Sequence, residues 1–229
     1  MTEFSTLREH MVQDQIARRG VKSELVLDAM RKVPRERFLP PREANFAYGD
    51  SPLPIGEGQT ISQPFIVAYM AESLTLEGGE KVLEIGTGSG YAAAVLGEIA
   101  AEVYTIERIK GLADRAVAVL EDLGYDNVHV RHSDGTLGWP EHAPFDGIVV
   151  SAGAPEVPES LKQQLAVGGR LVIPVGAGRS YQELVRITRV AEDEFETEDL
   201  VPVRFVPLVG EEGWPSELES LRNMDPFGF

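Results

Sequence analysis

Lys81-Val82-Leu83-Glu84-Ile85-Gly86-Thr87-Gly88-Ser89-Gly90-Tyr91 decides how the chain is read. Its first five residues are apolar-rich and β-prone, three glycines follow at alternate positions, and Ala92-Ala93-Ala94-Val95-Leu96 begins a run of helix formers. The predicted order is strand, tight glycine turn, helix. In an open α/β sheet such a turn sits at the carboxyl end of a central strand, where nucleotide-like ligands bind. Glycine there lets the backbone approach a ligand with no Cβ in between. The spacing is selective. Gly86, Gly88 and Gly90 make G-x-G-x-G; Tyr91 stands where a dinucleotide G-x-G-x-x-G would need glycine, and no Gly-Lys-Ser/Thr marks a phosphate loop. Glu84 precedes the first glycine, and Glu107, 23 positions later, ends the next strand-like run, Val103-Tyr104-Thr105-Ile106. A carboxylate about 20 residues past the turn is placed to meet ribose hydroxyls.

Outward from this centre the chain alternates. Strand 82–85 leads to helix 91–100, strand 103–106 to helix 110–123, and a short strand 128–130 to Ser133-Asp134-Gly135. Strand 145–150 leads to helix 158–165, and Gly168-Gly169 precede strand 170–175. Such alternation predicts a parallel sheet with helices on both faces. The end differs: residues 183–190 and 200–206 alternate at period 2 around an acidic turn, so the sheet closes in an antiparallel hairpin. Upstream, Leu7, Met11, Val12 and Ile16 form a helical stripe ended by Gly20, and Ser23 caps a second helix running to Val33-Pro34. Residues 48–59, rich in proline and glycine, read as an ordered but irregular loop. Ser62 reads as the N-cap of a helix with Pro64 in its first turn. The fold class is α/β: a doubly wound, mostly parallel seven-stranded sheet ending in an antiparallel hairpin, with an N-terminal helical cap.

A length of 229 residues allows one large domain or two small ones, and 43% apolar content is enough for a sizeable core. No run approaches the 18 or more apolar residues of a membrane span. Met1-Thr2-Glu3-Phe4-Ser5 lacks a basic and then apolar start, so no secretory signal is expected and a cytoplasmic location is. The absence of cysteine excludes disulfides, thiolate metal sites and a cysteine nucleophile. A net charge of −16 repels nucleic acid, whose binding rests on Lys and Arg neutralising phosphates.

A parallel sheet closing in an antiparallel hairpin, with G-x-G-x-G after one strand and an acid after the next, resembles the class I S-adenosylmethionine-dependent methyltransferases. A narrower likeness rests on Asp50-Ser51-Pro52-Leu53-Pro54-Ile55-Gly56-Glu57-Gly58-Gln59-Thr60-Ile61-Ser62-Gln63-Pro64, on Glu84 through Tyr91, Glu107-Arg108-Ile109, Gly138-Trp139-Pro140, Pro144-Phe145-Asp146 and Gly168 through Gly176. These resemble the protein-L-isoaspartate (D-aspartate) O-methyltransferase family, and the likeness runs nearly the full chain. Gln-Thr-Ile-Ser-x-Pro is its most family-specific part. Departures are small: Ser133, Ala92 and Ser151-Ala152-Gly153-Ala154-Pro155 replace more usual residues, and the tail from Val209 diverges most. The likeness implies one domain, with a helical cap and substrate loop over 1–75, a cofactor-binding core over 76–208 and a tail over 209–229.

The resemblance implies methyl transfer from S-adenosyl-L-methionine to the free α-carboxylate of isoaspartyl residues, with S-adenosyl-L-homocysteine as the product and no metal. The ester then closes to a succinimide that partly hydrolyses to normal aspartate. Isoaspartyl proteins and peptides are the expected partners, without nucleic acid or membrane, and the chain is expected to act as a monomer. The resemblance makes Ser62 the active-site residue. It gives cofactor contacts to Thr60, Ile61, Glu84, Gly86, Gly88, Gly90, Glu107, Arg108, Asp134 and Gly135. Local sequence alone favours Ser62 as a helix cap, and Asp134-Gly135 also reads as a plain turn. Asp50 reads as a turn cap or as a carboxylate near the sulfonium. His132, Trp139 and Trp214 read as surface or packing residues. The chemistry suits the composition, since an acceptor carboxylate is already ionised at neutral pH and needs no strong base. Enzymes that methylate amino groups carry Asn/Asp-Pro-Pro-Tyr/Phe after the fourth strand, where this chain has Ser151 through Pro155. A non-catalytic cofactor-binding module is disfavoured by the intact glycine loop and Ser62.

Overall fold

The computed structural model describes residues 3–178 and 181–216. The chain opens with one continuous helical run. α1 (Glu3–His10) passes into a π-helical segment (Met11–Ile16) and a 3-10 turn (Ala17–Arg19), which stops at Gly20 with φ +111°. α2 (Glu24–Lys32) starts at Ser23, whose hydroxyl accepts from the Val26 N–H. The expected irregular loop contains a small hairpin instead. β1 (Leu53–Gly56) and β2 (Gln59–Ile61) pair antiparallel across Glu57-Gly58, at φ +54° and +69°. Two positive φ values make the tight hairpin turn that matches strand twist, and a proline-rich sequence hides it.

α3 (Pro64–Ser73) leads to the core: β3 (Lys81–Ile85), α4 (Tyr91–Gly97), β4 (Glu102–Glu107), α5 (Lys110–Asp122), β5 (Val128–His132), β6 (Phe145–Val150), α6 (Glu159–Gln163), β7 (Leu165–Gly178), β8 (Tyr181–Ala191) and β9 (Glu194–Val203). Seven strands form one sheet in the order β5-β4-β3-β6-β7-β8-β9. The first five are parallel, and β8 runs antiparallel to both β7 and β9. Strand order reverses at β3, between β4 and β6, which is the switch point where ligands bind in such sheets. The predicted fold class is the observed one.

Several boundaries differ from the sequence prediction: α4 ends at Gly97 rather than 100, β5 runs to His132 rather than 130, and β9 is Glu194–Val203 rather than 200–206. α6 ends at Gln163 rather than 165, and β7 begins at Leu165 rather than 170. The register on β6 jumps from Phe145↔Leu165 to Gly147↔Arg170, so Gly168-Gly169 lie in a bulge within β7. A Cβ on Gly169 would come within 3.0 Å of the Asp146 carbonyl oxygen. The glycine pair marks a bulge, where the sequence suggested a break before the strand.

Alternation along the strands separates two cores. Val82, Val149 and Val172 join the cluster containing Met11, Leu27, Val67, Leu96 and Leu112, which gathers the cap and α3–α5 on one face. Leu83, Ile85, Ile148, Val150, Leu171 and Ile173 face the other way, covered by Leu161 of α6, Leu208 and the partly buried Trp139. The turn after β5 packs on Ile85 at the carboxyl end of β3. A Cβ on Gly135 in that turn would lie 2.5 Å from Ile85 Cγ2. Gly135→Ala is therefore expected to lower stability by about 1–3 kcal/mol, read as a lower urea midpoint at unchanged slope.

Candidate active site

The carboxyl ends of β3, β4 and β6 meet the hairpin β1–β2 from the cap. Gly86 and Thr87 both donate to the Ile106 carbonyl, at 2.8 and 3.2 Å, which binds the glycine turn to the end of β4. Gly86 and Gly88 hold φ of +93° and +55°, which side chains other than glycine disfavour. Around this turn lies a cleft of about 540 Å³, lined by Thr60, Ile61 and Ser62, by Glu84, Gly86 and Gly88, and by Glu107, Arg108, Gly135 and Ser151.

Glu107 is buried and accepts two backbone N–H groups, Gly88 on Oε2 at 2.9 Å and Ile109 on Oε1 at 2.8 Å. Each oxygen keeps a further lone pair that can accept from a hydroxyl. Glu84 lies sealed beneath the turn. Its Oε2 accepts from the Thr105 hydroxyl at 2.6 Å, and Thr105 shares a second hydrogen bond with Thr87, also 2.6 Å. Its Oε1 is buried with no partner among the described residues. Burial pushes the Glu84 carboxyl up to about 8; the Thr105 hydrogen bond opposes the shift and the charge of Glu107 adds to it.

A second compartment of about 990 Å³ opens beside the first, between Pro52, Gln63 and Ile66 on one side and Pro202 through Pro207 on the other. Thr60, Ser62, Ser151, Val206 and Pro207 line both. Ser62 therefore stands at the junction. It is not the N-cap expected from sequence: Gln63 holds that position, with no side-chain cap, and α3 begins at Pro64. Ser62 lies between β2 and α3, its carbonyl accepting from Arg35 at 2.8 Å.

Two of the expected cofactor residues have other contacts. Gly90 is not among the residues lining the cleft; it packs against Ala116 and Leu120 of α5. Asp134 is not among them either. Its Oδ1 accepts from the Thr136 N–H at 2.9 Å and the Thr136 hydroxyl at 2.8 Å, and its Oδ2 from the Glu211 N–H at 2.8 Å. The plain-turn reading fits these contacts, with a clasp on the C-terminal segment added. That segment is the part of the site least visible in sequence. Val206 through Val209, Pro215 and Ser216 wall the cleft. The segment is held by Glu212 N–H to Thr136 at 3.1 Å, Ser160 N–H to the Glu212 carboxylate at 3.0 Å and Trp214 Nε1 to the Gly153 carbonyl at 3.0 Å. Ser151 was also missed; its place at the carboxyl end of β6 was the available signal. Asp50 pairs with Arg19 at 2.6 Å, and His132 Nε2 lies 3.1 Å from the Arg108 carbonyl.

These groups fit S-adenosyl-L-methionine. Gly86 and Gly88 present backbone without a Cβ to the cleft, and Glu107 has lone pairs for a ribose diol.

Comparison with known proteins identifies the family. A family model described as protein-L-isoaspartate(D-aspartate) O-methyltransferase matches residues 6–213. Protein-L-isoaspartate O-methyltransferase 1 of Rhodopseudomonas palustris (strain HaA2) is 64% identical over 215 residues, covering 94% of this chain and 88% of that one. Protein-L-isoaspartate O-methyltransferase 2 of Marinobacter nauticus is 59% identical over 213 residues, covering 93% and 97%. A solved protein-L-isoaspartate O-methyltransferase superposes with a TM-score of 0.81 at 31% identity, over 90% of this chain and 67% of that one. A Plasmodium falciparum structure described as a beta-aspartate methyltransferase, in complex with S-adenosyl-L-homocysteine, gives 0.76 at 27% identity over 91% and 99%. With its sheet, its glycine turn and these relatives in agreement, the chain belongs to the protein-L-isoaspartate(D-aspartate) O-methyltransferase family.

Proposed function

We propose that this chain methylates the free α-carboxylate of L-isoaspartyl residues in damaged proteins and peptides, and that Ser62 orients the accepting carboxylate. The observation that carries the assignment is the position of Ser62 on the wall shared by the two compartments, with the glycine turn on one side and an open groove on the other. S-Adenosyl-L-methionine, when bound, supplies a methyl group on a positively charged sulfur. The chain's own task is then alignment and exclusion of water. The Ser62 hydroxyl donates to one carboxylate oxygen of the acceptor and leaves the other free for attack. Thr60 and Ile61 form the adjoining wall, Glu107 accepts from the ribose hydroxyls, and Arg108 and Gly135 border the same cleft. The segment 206–209 closes the far side against solvent. Orientation of this kind accounts for several kcal/mol of barrier, of the order of 7–11 at best. No helix among the described residues is long and apolar enough to cross a membrane. In this reading the enzyme works as a monomer in the cytoplasm, and its net charge of −16 keeps nucleic acid away.

Labelled methyl transferred to an isoaspartyl peptide as a base-labile ester, and not to its normal aspartyl twin, is the expected result. Label on both peptides or on neither contradicts the assignment. Ser62→Ala is expected to lower turnover by about tenfold or more, with affinity for S-adenosyl-L-homocysteine within about twofold. Equal turnover would remove Ser62 from the chemistry.

Glu84 adds a pH dependence. Its carboxyl is raised above the value in the unfolded chain, so the folded state binds the extra proton between about pH 4.5 and 8. Stability therefore falls as pH rises through that window and levels off above it. Glu84→Gln keeps the shape without the ionisation. In the cofactor-free protein the variant is expected to gain on the wild type in urea midpoint between pH 5 and pH 8.5. A constant difference across that range would contradict it.

A further inference from the structure

Arg35 is wholly buried, and among the described residues it has no ion pair. Other arginines of the cap are paired: Arg8 with Glu36, Arg19 with Asp50, Arg31 with Asp28 and Arg37 with Asp122. Arg35 instead donates from Nε to the Ala47 carbonyl at 2.8 Å and from Nη2 to the Ser62 carbonyl at 2.8 Å. Its guanidinium carbon sits 4.8 Å from the centroid of the Tyr91 ring, at the start of α4. Its Nη1 is buried with no partner among the described residues. Burial draws the Arg35 pKa below the usual arginine value, but a guanidinium stays charged.

An unpaired buried charge is expensive. A brace between two neutral carbonyls needs only a neutral amide, so the positive charge itself calls for a use. The Ser62–Gln63 peptide supplies one. The bond is trans, so the Gln63 N–H points away from the carbonyl that Arg35 holds. A carbonyl that accepts a charge-assisted hydrogen bond polarises its own amide and strengthens the N–H as a donor. No described residue accepts from the Gln63 N–H. Ser62 and Gln63 both line the groove beside the cofactor cleft.

We propose that Arg35 is a positioning residue for the methyl acceptor: its buried guanidinium fixes and polarises the Ser62–Gln63 peptide, so that the Ser62 hydroxyl and the Gln63 N–H together receive an anionic carboxylate. The proposal rests on the reading of that groove as the acceptor site. Arg35 touches neither cofactor nor acceptor in this arrangement. It acts through the peptide, and it favours an ionised acceptor over a neutral amide of the same shape.

The test uses the full chain with Arg35→Met, which keeps length without charge, and Arg35→Lys, which keeps charge without the fork. For each, kcat and KM with an isoaspartyl peptide, Kd for S-adenosyl-L-homocysteine and Tm are measured. Arg35→Met is expected to lose about tenfold to a hundredfold in kcat/KM for the peptide, with homocysteine-product affinity within about twofold. Arg35→Lys, unable to hold both carbonyls, is expected to fall between Met and wild type. Combined with Ser62→Ala, the losses are expected to be less than multiplicative, because both act on one carboxylate. Unchanged kcat/KM in Arg35→Met overturns the proposal. So does a parallel fall in product affinity and peptide turnover, which marks a brace alone, or full multiplicativity with Ser62→Ala. If Arg35→Met does not fold, Arg35→Lys decides: a selective loss supports the proposal and wild-type kcat/KM overturns it. If neither variant folds, Arg35 serves folding alone and the proposal fails. A wild-type chain that never methylates the peptide is a failure of the acceptor assignment itself, read before any variant is made.

Discussion

The cleft depends on one carboxylate that accepts from two backbone turns at once. Glu107 takes the Gly88 N–H on one oxygen and the Ile109 N–H on the other, so the turn after β3 and the turn after β4 are locked together. Neither turn could satisfy those donors alone, because both lie at the carboxyl edge of the sheet, beyond the last ladder bonds. With the two turns fixed, the glycine loop keeps its positive φ values and the floor over Glu84 stays closed. A charged acceptor also makes stronger hydrogen bonds than a carbonyl in the same place. The group that shapes the loop is thus the one with lone pairs left for a ligand.

Two buried ionisable groups then flank the site. Glu84 lies under the glycine turn with one oxygen unpartnered, and Arg35 lies behind Ser62 with one nitrogen unpartnered. Each is unfavourable to the empty fold, Glu84 through a raised carboxyl pKa and Arg35 through desolvation. In the proposed function the Arg35 cation lies behind the peptide that faces the anionic acceptor. A charge arranged in advance needs little reorganisation when the reaction moves charge.

Much of this was legible in the sequence, for local reasons. The G-x-G-x-G turn, the acid 23 residues on and the change from helix-strand alternation to paired strands are all short-range patterns, and the fold follows from them. The family-like segment singles out Ser62, which lines both compartments, but the capping role expected from local sequence is not observed, since the chain enters α3 one residue later. Asp134 shows the opposite failure. An Asp-Gly after a strand cannot reveal from local sequence that its carboxylate will clasp Glu211, 77 residues away. The strap at 206–216 and the junction residue Ser151 come together only through sheet order. The β1–β2 hairpin was hidden because Pro52, Pro54 and Gly56 look like breakers, whereas the tight turn at Glu57-Gly58 sets the pairing.

The cap has to be an integral part of the core. The loop that carries Ser62 spans from Ala47 to Gln63, and a segment of that length would sample many conformations if held only at its ends. It is tied at intervals instead: Arg35 to the Ala47 and Ser62 carbonyls, Arg19 to Asp50, Gln63 to the Asp50 carbonyl, and Arg115 of α5 to the Ile55 carbonyl. These ties come from α5, the cap and the loop itself, and only the Arg35 contacts are fully buried on the donor side. The cap's apolar residues share one cluster with Val82 and Val103 of the sheet, so cap and glycine turn keep their spacing together. In the proposed function, transfer between a donor on the sheet and an acceptor on the loop requires that spacing to hold to within a fraction of an ångström. A cap joined to the sheet by a flexible linker would let the acceptor side drift from the donor side, and the shared core is what prevents it.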